Sequence, residues 1–90
     1  MKMYRYVIQG MVQGVSFRYY TRRTALNLQV NGTVKNLLNG DVEVYAQGEP
    51  GNIREFEEFL KNGPPFARVE NFFQEEIDQE KVFPDFSIEF

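Results

Sequence analysis

An α+β domain, with two helices on one face of an antiparallel sheet, is the architecture this chain of 90 residues predicts. Three observations carry that prediction. Strand-like runs of aromatic and β-branched residues alternate with two stretches of helical periodicity, an Asn39-Gly40 pair separates two of the strand-like runs, and Gly63-Pro64 ends the second helical stretch. The order is β-α-β-β-α-β with a short further strand, the split βαβ arrangement of ferredoxin-like folds. No low-complexity segment, internal repeat or linker interrupts it, so residues 1–90 read as one domain.

The first strand is expected from about Tyr4 to Val12, where apolar groups on both alternating faces leave its register open. A glycine-containing loop then delivers a helix from about Phe17 to Leu28. Phe17, Tyr20, Thr24 and Leu28 share one face of it, Ala25 flanks that face, and Arg18, Arg22 and Arg23 lie elsewhere. Strands at about Gly32–Leu37 and Asp41–Gln47 form a hairpin through Asn39-Gly40, a dipeptide that tolerates the positive φ of a tight turn. Asn52 followed by Glu55 has the pattern of a capping box, and Ile53, Phe56, Phe59 and Leu60 form the apolar face of the second helix. A strand around Arg68–Ile77 follows, and Phe86-Ser87-Ile88-Glu89-Phe90 alternates apolar and polar residues as a last one.

Composition narrows the chemistry. A chain this short needs a core dense in large side chains, which nine Phe and five Tyr supply. The absence of Cys and His excludes disulfides, thiolate or imidazole metal ligands, cysteine nucleophiles and histidine bases. Net charge is -3 but divided: Lys2, Arg5, Arg18, Arg22, Arg23 and Lys35 are the only charged residues up to position 40, and all 13 carboxylates follow. An anionic ligand is therefore expected near the N-terminal half, while overall acidity argues against non-specific nucleic-acid or lipid binding. With no apolar run of signal-peptide or membrane-spanning length, the cytoplasm is the expected location.

The run Gly10-Met11-Val12-Gln13-Gly14-Val15-Ser16-Phe17-Arg18 joins a strand to a helix, so several backbone N–H groups can point into one concavity at a helix N-terminus, with an arginine on the first turn. That is a phosphate cradle, and the first turn holds no Asp or Glu to satisfy the helix dipole instead. The run resembles the signature of the acylphosphatase family, glycine-x-valine-glutamine-glycine-valine-x-phenylalanine-arginine. The family's second signature is similar to Gly32-Thr33-Val34-Lys35-Asn36, and the resemblance extends to Gly63-Pro64-Pro65-Phe66-Ala67-Arg68-Val69 and Phe86-Ser87-Ile88.

The resemblance implies the same fold and metal-independent hydrolysis of an acyl phosphate, without a cofactor, to a carboxylate and inorganic phosphate. It implies that Arg18 binds the substrate phosphate with the loop amides of Val12, Gln13, Gly14, Val15, Ser16, Phe17 and Arg18 itself. It also implies that Asn36 orients the attacking water. Read from the residues alone, Arg18 offers planar paired donors to phosphate oxygens, whereas Asn36 has the composition of a turn-former. Ser16 suits an N-cap hydroxyl and has no histidine to activate it as a nucleophile. Arg22 and Arg23 read as a solvated face, Lys35 as auxiliary electrostatics pointing opposite to Val34 and Asn36, and Glu57-Glu58 and Glu75-Glu76 as solvated carboxylates. Two positions depart from the family pattern: Thr33 replaces a common aromatic, and Gln29 a glycine that often closes the first helix.

The expected partners are a small-molecule acyl phosphate as substrate and inorganic phosphate as product and inhibitor, with no nucleic acid and no membrane, on a monomer. The alternative from a different class is a non-catalytic anion- or phosphometabolite-binding module on the same fold. An RNA-binding reading fails, because the basic-glycine-aromatic-glycine-aromatic run of such domains is missing.

Overall fold

The computed structural model describes residues 2–78 and 81–90. Its elements are β1 (Met3–Met11), α1 (Phe17–Asn27), β2 (Asn31–Asn36), β3 (Val42–Gln47), α2 (Pro50–Asn62), β4 (Arg68–Ile77) and β5 (Phe86–Glu89). The sheet order is β4-β1-β3-β2-β5. β3 lies antiparallel between β1 and β2, so α1 links two strands that run the same way with a third between them. β4 flanks β1 antiparallel, and α2 links it back to β3 across β1. These are two interlocked split βαβ units, as the element order predicts.

The sheet is mixed, which corrects the expectation of an antiparallel one. β5 lies on the outer edge of β2 and runs parallel to it, with Gly32 opposite Phe86 and Val34 opposite Ile88. The route of the chain explains the direction. Residues 81–85 cross the sheet face away from the helices, where Phe83 packs beside Tyr45 and Gln47 accepts the Phe83 N–H at 3.0 Å and donates to the Lys81 carbonyl. The Asn31 side chain donates to the Phe83 carbonyl at 3.2 Å, and the Gly32 N–H to the Asp85 carbonyl at 2.9 Å. The chain thus arrives at the start of β2 and continues alongside it.

On the helix side, Tyr6 and Ile8 of β1 enter the core, which settles the register the sequence leaves open. Phe56 of α2 meets Tyr6 and Phe86 edge-on, with ring centroids 6.4 and 5.8 Å apart, a geometry aromatic pairs favour. The buried stripe of α1 is Phe17, Thr21 and Ala25, while Tyr20, Thr24 and Leu28 lie half-buried at its margin. The expected face is rotated because small Thr21 and Ala25 let the helix approach the sheet closely, and the bulkier Tyr20 is left at the edge. α2 begins at Pro50 with Glu49 as N-cap and no side-chain cap bond, so Asn52 and Glu55 do not form the expected capping box. Proline at the first helical position has φ already set and needs no donor, which starts the helix earlier.

The hairpin turn is wider than the Asn39-Gly40 pair alone. The Leu37 N–H donates to the Asp41 carbonyl at 2.8 Å, and Asn39 Oδ1 accepts the Asp41 N–H at 3.0 Å. Glu57 is not simply solvated either, since its carboxylate accepts the Tyr6 hydroxyl at 2.7 Å and so pins α2 to β1. Glu75 and Glu76 are exposed and pair with Arg5 at 3.3 Å and Lys2 at 3.1 Å, contacts of the weakly stabilising surface kind. No described helix is long and apolar enough to cross a membrane.

The end of α1 bears out the reading of Gln29. The Val30 N–H reaches the Ala25 carbonyl at 2.9 Å and the Gln29 N–H the Leu26 carbonyl at 3.4 Å, a Schellman motif that requires Gln29 to adopt φ 56°. A residue with a Cβ is strained there by about 1–2 kcal/mol, partly offset by the greater unfolded-state freedom of glycine. Gln29→Gly is therefore expected to stabilise the protein by about 0.5–1 kcal/mol in denaturant unfolding; a loss of stability would contradict the strained cap.

Burial, then the hydrogen bond and charge of Glu57, push the Tyr6 hydroxyl far above its ordinary pKa of 10.0. The unfolded chain releases this proton near pH 10 and the folded one holds it, so the contribution is complete below about pH 10 and declines above it. Wild type should exceed Tyr6→Phe in stability by about 1–2 kcal/mol at neutral pH. That margin should shrink above pH 10, and a margin constant up to pH 11 would show that Tyr6 ionises freely.

Candidate active site

The loop between β1 and α1 is built from side chains that anchor it and backbone that turns between them. β1 bulges against β4 at Gln9/Gly10, and a Cβ on Gly10 would overlap the Arg68 carbonyl oxygen, so only glycine permits this close approach. Val12 and Phe17 are fully buried and Val15 packs against the core. Gln13 Nε2 donates to the carbonyls of Leu37 and Asp41, both at 2.8 Å, fastening the loop to the β2–β3 turn. Between these anchors Gly14 and Ser16 take left-handed conformations, φ 75° and 62°. Left-handed residues in a turn let neighbouring N–H groups converge on one side, the way backbone concavities for anions, or nests, are made.

α1 starts directly from this nest. Ser16 is its N-cap, as expected, but its hydroxyl makes no capping bond, because the left-handed backbone turns the side chain away from the position that reaches the helix amides. The Tyr20 N–H closes the first turn on the Ser16 carbonyl at 3.1 Å. The amides of Phe17, Arg18 and Tyr19 precede it and have no acceptor within the helix. With no acidic residue in the first turn, the positive end of the helix dipole is uncompensated.

Arg18 Nη1 donates to the Glu89 carbonyl at 3.0 Å, and its guanidinium lies 4.9 Å from the centroid of the Phe90 ring. No carboxylate among the described residues pairs with it. Since a guanidinium carries five N–H donors, this anchoring orients the group and leaves most of its donors for an anion. Asn36 ends β2 opposite Val42, on the side of the sheet that carries the helices. It is not the turn itself; its Oδ1 is buried and without a hydrogen-bond partner among the described residues. An unpaired buried polar atom costs about 1–3 kcal/mol, and Thr21 Oγ1 on α1 is a second buried side-chain atom without a partner among the described residues.

Val12, Gly14, Ser16, Phe17, Arg18 and Asn36 line one cleft of about 350 Å³. Gln13 and Val15 belong to the same loop, but their side chains face the hairpin turn and the core and do not line the cleft. Arg22 donates through Nε to the Phe86 carbonyl at 3.1 Å, Arg23 is exposed, and Lys35 is exposed on the other face opposite Glu43. The cleft also contains Tyr19, Ile88 and Phe90, which sequence reasoning missed. The alternation of residues 86–90 puts Phe86, Ile88 and Phe90 on one face, but only the parallel pairing of β5 with β2 brings that face to the cleft. No cluster of three or more metal-ligating residues occurs among the described residues.

Comparison with known proteins agrees with this geometry. The family model Acylphosphatase matches residues 4–88. An acylphosphatase of Vibrio vulnificus is 52% identical over 73 residues, 81% of each chain. The crystal structure of acylphosphatase from Bacillus subtilis superposes with a TM-score of 0.95 at 37% identity, covering 100% of both chains. An acylphosphatase from Coxiella burnetii superposes with a TM-score of 0.91 at 43% identity, covering 98% of this chain and 92% of that one. A split βαβ sheet that superposes on these structures over 98–100% of the chain, together with the family model over residues 4–88, makes this chain a member of the acylphosphatase family of hydrolases.

Proposed function

We propose that this protein hydrolyses the carboxyl–phosphate bond of small acyl phosphates without a metal ion or cofactor, with Arg18 and Asn36 in separate roles. The observation that carries the proposal is that Arg18 and Asn36 line one cleft, with the Asn36 Oδ1 buried and without a partner among the described residues. A module that only stored phosphate would need the cations and amides but not this acceptor, which disfavours the binding-module alternative. The amides from Val12 to Arg18 and the Arg18 fork hold the phosphoryl oxygens. Asn36 accepts a hydrogen bond from a water and aims its oxygen at phosphorus; a neutral amide does this without repelling the anion as a carboxylate would.

Water oxygen bonds to phosphorus as the bond from phosphorus to the acyl oxygen breaks, and the electron pair leaves with the carboxylate. The water proton passes to a phosphoryl oxygen, giving inorganic phosphate. A carboxylic acid has a pKa of roughly 4, so the leaving group needs no general acid. That is consistent with a chain without histidine, since phosphoryl transfer through a loose transition state depends mainly on positioning and charge. We place the reaction in the cytoplasm, on a monomer, with inorganic phosphate acting as product inhibitor.

Turnover of a simple acyl phosphate is expected to proceed without added metal and to survive a chelator. Activity that vanished with chelator and returned with a divalent ion would overturn the mechanism. Arg18→Ala should weaken inhibition by phosphate and nearly abolish kcat, with poor rescue by Arg18→Lys, because one ammonium does not reproduce a planar fork. A folded Asn36→Ala variant should instead lose kcat by about 10²- to 10⁴-fold and keep its phosphate affinity. Weakened phosphate inhibition with intact kcat would reassign Asn36 to the cradle.

A further inference from the structure

A second cavity, of about 220 Å³, lies on the sheet face away from the helices. Met3, Thr33, Tyr45 and Glu89 line it from the sheet, and Lys81 and Phe83 line it from the segment that crosses this face. Its origin is a row of unequal side chains. Thr33 stands opposite Tyr45 on one side and Ser87 on the other, so two small residues lie next to a large one. Phe83 packs beside Tyr45, with ring centroids 6.5 Å apart, and bounds a space that a larger residue at position 33 would fill.

The lining divides by chemistry. Met3, Phe83 and Thr33 are 1%, 7% and 8% exposed, so the inner part is shielded, whereas Lys81 and Glu89 are exposed and carry opposite charges. Lys81 Nζ lies 4.8 Å from the centroid of the Phe83 ring, and neither Lys81 nor Glu89 forms an ion pair among the described residues. Lys35, the neighbour of Glu89 across the β2–β5 pairing, stands opposite Glu43 on its other side, and Glu43 binds Arg5 at 2.8 Å. A simple anion entering this cavity would meet Glu89, and a simple cation would meet Lys81. A zwitterion satisfies both, and an apolar side chain on it gains from the shielded part. The volume is below the roughly 300–1,000 Å³ of drug-sized sites, which limits the guest to the size of an amino acid.

Glu89 also connects this cavity to the cleft on the other face. Its side chain lines the cavity, while its carbonyl accepts Arg18 Nη1 at 3.0 Å. A ligand that bridges Lys81 and Glu89 holds the end of β5 where that carbonyl meets the arginine, and so binds more tightly to the form that is ready for phosphate. By linkage, phosphate and the ligand then strengthen each other's binding.

We propose that this cavity is a regulatory site for a small apolar α-amino acid, whose occupancy raises the affinity of the cleft for phosphate. The inference rests on the reading of Arg18 as the phosphate-binding side chain and adds a second site that acts through it.

The test titrates the protein with L-phenylalanine, 3-phenylpropanoate, which lacks the ammonium, and 2-phenylethylamine, which lacks the carboxylate, following backbone amide resonances. L-phenylalanine is expected to give saturable shifts at Thr33, Tyr45 and Ser87 and to bind severalfold more tightly than either analogue. Saturating L-phenylalanine should lower the dissociation constant of inorganic phosphate severalfold in wild type. Lys81→Gln, which removes one charge, and Thr33→Phe, which fills the cavity, should keep the basal phosphate affinity and lose this response. Equal binding of the three probes, or no saturable shift on this face, overturns the site. A bound amino acid that leaves phosphate affinity unchanged, or a response that persists in folded Lys81→Gln, overturns the regulation and leaves the hydrolytic reading standing. Failure of phosphate to bind the cleft at all would instead remove the reading of Arg18, and the shifts at Thr33, Tyr45 and Ser87 would then decide the amino-acid site by themselves.

Discussion

Gln13 joins the two halves of the site. Its side-chain amide donates to the carbonyls of Leu37 and Asp41, so the loop that carries the nest is fastened to the turn that follows Asn36. Without that link, the distance between amides arriving from β1 and an amide side chain arriving from β2 would depend on two independently moving segments. With it, the turn and the loop move together. The buried Val12 and Phe17 on either side leave the backbone at Gly14 and Ser16 as the part of the loop free to wrap an anion. Left-handed Ser16 is strained for a residue with a Cβ, and strain held by such anchors is common where a backbone is shaped for a ligand.

The order of strands supplies the other constraint. Because β3 separates β1 from β2, the edge of β2 away from β3 is available, and β5 takes it in parallel. That one pairing brings the Glu89 carbonyl and the Phe90 ring to Arg18 and adds Ile88 to the cleft. Orientation of the arginine therefore depends on residues more than 60 positions away in the chain, and on the Gln47 and Asn31 side chains that hold residues 81–85 across the opposite face. Packing of the sheet and geometry of the site are linked through this strand.

Much of this was legible in the sequence, and the failures have physical reasons. Local signals read well: the aromatic and β-branched runs, Gly63 after the second helix, the glycine loop before Arg18, and the uncomfortable Gln29. Helical spacing puts Phe17, Tyr20, Thr24 and Leu28 on one face, but it does not say how that face is rotated against the sheet, and the buried stripe is Phe17, Thr21 and Ala25. The start of α2 was misread because Asn52 and Glu55 match a side-chain cap, while Pro50 needs none. Parallel β5, the Tyr6–Glu57 bond and the apolar wall of Tyr19, Ile88 and Phe90 were beyond local reading, since each depends on residues brought together only by the sheet. Arg18 and Asn36 stand out through their motif, whereas the burial of Asn36 Oδ1 without a partner among the described residues is visible only in three dimensions.

The central claim is that the loop amides and Arg18, not Asn36, hold the phosphate. Titration of isotopically labelled protein with inorganic phosphate, followed by nuclear magnetic resonance of backbone and side-chain N–H groups, tests this most directly. Saturable shifts concentrated in the backbone amides of Val12 to Arg18 and in the Arg18 Nε–H, with the Gln13 side chain unmoved, are the predicted result. Shifts centred instead on Lys35, Lys81 or the opposite face of the sheet, with the loop amides silent, would contradict it.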